Sequence, residues 1–203
     1  MINNSTTHIR FTDGGNSDAE AVGCSGGRRD NGCFSARFMW RGEGAGELYT
    51  YLPPGSPENK AVCKVPPQSD CNDVFGASVG RGSFKFTPGK RTTIGQRVKL
   101  NDVGKANGEL ELFVDGKSAF TVPGLVLRTA DSGRIRGIQM QSFFGGEWFL
   151  PAARNICCMI VVRCWEMMAL TRLLGTGNDA SWATPKDQNI FFGDFSVAVT
   201  KKL

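Results

Sequence analysis

Residues 33–52 read CFSARFMWRGEGAGELYTYL, two runs that alternate with period two and are joined by a glycine-rich connection. Successive strand residues point to opposite sides of a sheet. The first run therefore sets Phe34, Ala36, Phe38 and Trp40 on one face and Ser35 and Arg37 on the other. The second sets Leu48, Thr50 and Leu52 against Glu47, Tyr49 and Tyr51. The pattern predicts a β-hairpin with one apolar face for a core and one polar face for binding. The chain has only two tyrosines, and both fall on that polar face. The plainest reading of the polar face is an open sheet surface, with Arg37 a solvated charge and the tyrosines ordinary strand aromatics.

Further short runs of the same kind follow. Residues 77–86 set Phe84 and Phe86 opposite Ser83 and Lys85. In 92–100, Ile94, Val98 and Leu100 oppose Arg97 and Lys99. Residues 109–114 and 118–122 flank Asp115-Gly116, a strong two-residue hairpin signal. In 134–144, Ile138 and Met140 oppose Gln139 and Gln141, and 189–200 closes the series. About eight strands with glycine-rich turns predict an all-β sandwich or barrel. The 203 residues suffice for one domain with a real core. Residues 1–32 show no sustained period and are expected to begin with a tail over 1–13. Pro53, Pro54 and Pro57 break the strand before a long loop over 53–75.

A net charge of +5 favours a polyanionic partner. The basic residues are scattered, without the run expected of a nucleic-acid arm, so an acidic polysaccharide fits better than nucleic acid or a membrane. Cys24 and Cys33 lie close in sequence, as do Cys63 and Cys71. Each pair can close a small loop as a disulfide, as in secreted proteins, or remain as two buried thiols. The single His8 does not accompany them, and zinc is not expected. The N-terminus carries no signal-peptide pattern.

One segment departs from its surroundings. Residues 147–176 hold three of the seven cysteines and three of the six methionines. Arg154, Arg163 and Glu166 interrupt the segment, so it falls short of a transmembrane span. It reads as a buried or amphipathic helix or, preferably, as translated intron sequence between SFFGG and TGNDASW.

The runs FSARFMWRGEGAGELYTYLP, GASVGRGSFKFTPGKRTT, QRVKLND, GELELFVDGKS, GIQMQSFFGG and SWATPKDQNIFFGDFSVA occur in this order. Together they resemble fungal members of polysaccharide lyase family 14, the alginate lyase-like and glucuronan lyase-like proteins. The likeness covers roughly residues 14–146 and 177–200. It implies a single β-jelly-roll domain, two packed antiparallel sheets with the concave one forming a cleft, incomplete at the N-terminus. It also implies secretion. The family's Ser-x-Arg and Tyr-x-Tyr strands fall on Ser35, Arg37, Tyr49 and Tyr51, with the spacing kept, so these are the expected catalytic residues. Gln139, Gln141, Arg97 and Lys99 are expected to bind substrate. The family also carries a lysine upstream, in a run matched here by HIRFTDGG (8–15), which keeps Gly14 and Gly15 and lacks the lysine.

These residues suit β-elimination on a uronic-acid chain. A cation on the carboxylate stabilises the charge that develops as the C5 proton leaves, and an arginine fork can hold that carboxylate at two points. Ser35 is a supporting donor. A tyrosine can serve as acid or base, but needs a neighbouring cation to act as a base near neutral pH. The scheme calls for no metal or cofactor, and a monomer is expected. Losing one of two cations could cost on the order of 2.7–4 kcal/mol in the barrier, so weak or absent turnover is expected of this chain. The competing readings are a carbohydrate-binding jelly roll that keeps the cleft without turnover, and a faulty gene product.

Overall fold

The structure, a computed structural model, describes residues 7–140, 196–198 and 200. Nine strands and one short helix occur among them: β1 (Thr7–Gly15), α1 (Asp18–Ala21), β2 (Cys33–Trp40), β3 (Ala45–Tyr51), β4 (Asp70–Cys71), β5 (Ala77–Lys85), β6 (Ile94–Lys99), β7 (Gly108–Val114), β8 (Lys117–Leu125) and β9 (Arg134–Met140). They form two antiparallel sheets, a six-stranded one in the order β4-β5-β3-β2-β1-β9 and a three-stranded one in the order β6-β7-β8. The all-β expectation holds.

The apolar halves of the alternating runs build the core between the sheets. Phe34, Ala36 and Phe38 of β2, Leu48 of β3 and Val79 of β5 meet Leu110 and Leu112 of β7 and Val122 and Leu125 of β8. Their burial is the main stabilising term, at roughly 1.5–3 kcal/mol for each large side chain.

Two turns work as their sequences demand. Asp115 and Gly116 both take positive φ (50° and 78°), the backbone of a two-residue turn between β7 and β8. Gly44, also at positive φ (78°), closes the β2–β3 connection. A Cβ there would lie 2.2 Å from the Phe86 carbonyl oxygen, so no other residue fits.

Three local expectations change. Residues 7–13, read from sequence as part of a tail, form most of β1, which pairs with β2 on one side and β9 on the other. A mixed-polarity stretch such as THIRFTD gives no clear period, and a register shift between Arg10 and Thr12 breaks the alternation further. The loop over 53–75 contains a 3-10 turn (Pro57–Lys64) and the two-residue β4. Asn59 ties that turn to the end of β8, donating to the Val126 carbonyl (2.9 Å) and accepting from the Val126 N–H (2.9 Å).

The third change bears on function. The polar face of β2 is not open, because every residue of the strand is buried. The connection between β1 and β2 folds back over it. Ser17 caps α1 by accepting the Glu20 N–H (3.2 Å), and the Cys24–Cys33 disulfide ties that connection to the first residue of β2. Cys63–Cys71 joins the 3-10 turn to β4. Both local pairings thus exist as disulfides. Gln141, the segment 147–176 and most of the expected strand over 189–200 lie outside the described residues.

Candidate active site

Register converts the alternating pattern into a constellation. Ser35 pairs with Tyr51, Arg37 with Tyr49 and Met39 with Glu47, and β5 sets Ser78 opposite Tyr49. All of these lie on the face of the large sheet turned away from the core. On the far side of β2, the backbone of Arg10 pairs with that of Arg37 and Asp13 with Ser35. Gln139 on β9 pairs in turn with Arg10. A single cross-strand row therefore runs Ser78, Tyr49, Arg37, Arg10, Gln139.

Arg37 is clamped in place. Its Nη2 donates to the Cys24 carbonyl (2.9 Å) and to Ser35 Oγ (3.3 Å). Ser35 Oγ in turn donates to the same carbonyl (2.7 Å). The guanidinium carbon lies 4.9 Å from the centre of the Tyr51 ring, a cation–π contact. Arg37 is 3% exposed and Tyr51 2%, so the solvated-charge reading is overturned. Charge is retained there because the disulfide holds a carbonyl acceptor against it, which offsets part of the desolvation cost. Cys24–Cys33 thus positions the arginine as well as stapling the loop.

The tyrosines pack edge to face, with ring centres 5.7 Å apart. The Tyr51 oxygen accepts the Gly27 N–H at 3.0 Å. Tyr49 holds its proton well above the ordinary tyrosine range. Burial is the main cause, and the charge of Tyr51 and a hydrogen bond with it act in the same direction. The positive charge of Arg41, 5.9 Å from the Tyr49 ring centre, and a Gly76 N–H oppose the shift without cancelling it. At neutral pH Tyr49 is therefore a proton donor in the free protein.

Gly76 has a steric role as well. A Cβ there would meet Tyr51 Cε2 at 2.8 Å, Tyr49 Cε1 at 2.9 Å and the Thr50 carbonyl at 2.7 Å. Gly76→Ala is expected to push both rings from their places. Displacement of a reacting group by about 1 Å can cost about 10²-fold in rate, so any turnover that uses these rings should fall by that order. A melting curve close to wild type would locate the loss in the site.

The other sequence expectations divide. Ser35, Arg37, Tyr49 and Tyr51 come together. Gln139 joins their row through the backbone register only. Arg97 and Lys99 do not join it. They lie on β6 in the other sheet, opposite Glu111 and Glu109, while their neighbours Ile94 and Val98 face the core. Arg97 is engaged by Glu109 (2.5 Å) and Glu111 (2.7 Å) on that outer surface. The whole core separates these two residues from the tyrosines. Alternation says which face of a strand is polar, but not to which sheet the strand belongs.

Sequence reasoning missed the residues beside Tyr49. Glu47 was on the right face by alternation, but its partners come from two other places in the chain, Arg41 from the β2–β3 connection and Ser78 and Arg81 from β5. The available signal was an acidic residue two positions from Tyr49 on a strand otherwise destined for burial. Among the described residues no group of three or more His, Cys, Asp or Glu side chains is arranged to hold a metal ion.

Comparison with known proteins gives the family and the fold. The polysaccharide lyase 14 family model matches residues 12–154, more than half of the chain. The crystal structure of a marine PL-14 alginate lyase from Aplysia kurodai is similar at 33% identity with a TM-score of 0.64, over 76% of this chain and 59% of that one. An alginate lyase from Chlorella virus is similar at 20% identity with a TM-score of 0.50, over 75% and 60%, and shares the fold. This chain thus spans less than two thirds of the length of either. A search of the curated proteins gave no match. With a family model over most of its length and a PL-14 structure at 33% identity, the chain belongs to the polysaccharide lyase 14 family.

Proposed function

We propose that this protein cleaves an acidic uronic-acid polymer, alginate or glucuronan, by β-elimination, with turnover weakened because the run 8–15 lacks the lysine expected there. One observation carries the reading: a clamped guanidinium and a hydrogen-bonded tyrosine pair occupy adjacent positions on one sheet face. Arg37 neutralises the carboxylate of the sugar being cleaved and stabilises the charge that develops as the C5–H bond breaks. Ser35 and the Cys24 carbonyl hold Arg37 in that role.

The tyrosines divide the proton work. Tyr49 keeps its proton, so it is the acid of the pair and the Tyr51 oxygen is the base. The Tyr51 oxygen takes the C5 proton. The C5–H electrons form the C4=C5 double bond, and the C4–O4 bond breaks toward O4. Tyr49 then protonates O4 as it leaves. The hydrogen bond between the two tyrosines returns the proton from Tyr51 to Tyr49, and the site is reset without a net change.

Two disulfides among the described residues support a secreted protein, since such bonds persist in oxidising compartments. Also among the described residues, no helix is long and apolar enough to cross a membrane.

Incubation of the protein with alginate, glucuronan and a neutral glucan, followed by ultraviolet absorbance of unsaturated uronides, tests the reading. Absorbance should rise with a polyuronate and stay flat with the glucan. Binding of polyuronate with no product would instead favour a carbohydrate-binding module.

A further inference from the structure

Beside the tyrosine pair, Glu47 lies wholly buried on the same face, two residues along β3 from Tyr49. Three groups converge on its carboxylate. Arg41 donates from Nε to Oε1 (3.0 Å), with its Nη2 3.0 Å from the same oxygen. Arg81 Nε donates to Oε2 (2.7 Å), as does Ser78 Oγ (2.6 Å). Arg81 Nη2 also donates to Ser78 Oγ (3.1 Å). One buried negative charge thus gathers two positive ones, and a net positive charge remains beside Tyr49.

The geometry leaves that charge usable. Every bond in the cluster runs through Nε and Nη2 of the two guanidiniums, which is one edge of each fork. The remaining edge, carrying Nη1, is directed away from Glu47, and such an edge suits a second carboxylate. The arginine side chains keep 34% and 27% of their surface exposed, although Glu47 keeps none. Arg41 also sits over the Tyr49 ring, so an anion held there lies next to the sugar that Tyr49 serves. A cluster with a purely structural task gains little from two partly exposed arginines on one buried carboxylate, since such networks contribute little net stability.

We propose that Glu47 assembles Arg41 and Arg81 into a second carboxylate subsite, which holds the uronate neighbouring the one under attack and so selects a polymer charged on consecutive sugars. This rests on the polyuronate reading above and extends it. Arg41 and Arg81 bind, and Glu47 positions them.

Arg81→Gln, Arg41→Gln and Glu47→Gln test it, with two readouts. In steady-state kinetics on a polyuronate, Arg81→Gln should raise KM about tenfold with kcat within about twofold. That is the modest end for a charge-assisted hydrogen bond at a partly exposed site. Titration calorimetry of uronate oligosaccharides should show the same loss of affinity, and it needs no turnover. Oligosaccharides whose flanking carboxylates have been reduced to alcohols should bind wild type and Arg81→Gln alike. Glu47→Gln can lower stability by removing a buried charge from between two arginines, so Arg81→Gln and Arg41→Gln, both partly exposed, carry the test. Unchanged KM and unchanged oligomer affinity in Arg81→Gln and Arg41→Gln would overturn the subsite. Absence of product from wild type would overturn the lyase reading separately, and the calorimetry would still decide the subsite.

Discussion

Tyr49→Phe is expected to lower turnover of a polyuronate by about 10²–10⁴-fold, the range for removing a general acid or base. The ring stays, so the edge-to-face contact with Tyr51 and the packing against Gly76 stay with it. Only the hydroxyl is lost, and with it the proton for the departing O4. KM should change little, because the hydroxyl acts on the transition state rather than on the bound polymer. The raised pKa of Tyr49 explains why it donates: burial and the neighbouring Tyr51 keep it protonated where a free tyrosine would begin to ionise, near pH ~10. Loss of activity in Tyr49→Phe should therefore persist across the neutral range. Parallel kinetics and thermal melts of wild type and variant check this. Full turnover in a folded Tyr49→Phe protein would move the acid role to another group.

Arg37→Lys should cost about 10²–10³-fold in kcat, comparable with removal of one preorganised oxyanion donor. The substitution keeps the charge and discards the planar fork. A lysine ammonium is a compact point charge and cannot reproduce the rigid donor geometry. It would have to satisfy the Cys24 carbonyl, Ser35 Oγ and the substrate carboxylate from one nitrogen. The face of the Tyr51 ring loses its planar partner too. A kcat defect much larger than the KM defect would agree with this account, whereas a pure KM effect would make Arg37 a binding residue only.

The hairpin at the centre of the molecule was legible because strand periodicity is local. Phe34, Ala36 and Phe38 face the core as the alternation requires, and Asp115-Gly116 turns where its positive-φ residues allow. Ser35, Arg37, Tyr49 and Tyr51 were legible both as one polar face and from the family resemblance. Long-range placement was not legible. Arg97 and Lys99 have the same local pattern as Arg37, yet they stand on the other sheet beside Glu109 and Glu111. Arg81 reaches Glu47 across 34 positions of sequence, and only the β3–β5 register brings them together. The burial of Arg37 was equally hidden, because the covering segment carries no regular period and is brought over β2 through the Cys24–Cys33 closure. β1 was missed for a related reason. Its bulge breaks the alternation that would have announced it, although it provides the backbone row next to Arg37.

The most direct measurement is the chemical nature of the new chain end after incubation with alginate or glucuronan, read by mass spectrometry of the oligosaccharides. β-Elimination leaves an unsaturated uronide at the new non-reducing end, one water lighter than the product of hydrolysis. The site built from Arg37, Tyr49 and Tyr51 predicts that unsaturated end, with its yield lost in Tyr49→Phe. Saturated ends, or an intact polymer bound by a folded protein, would contradict it.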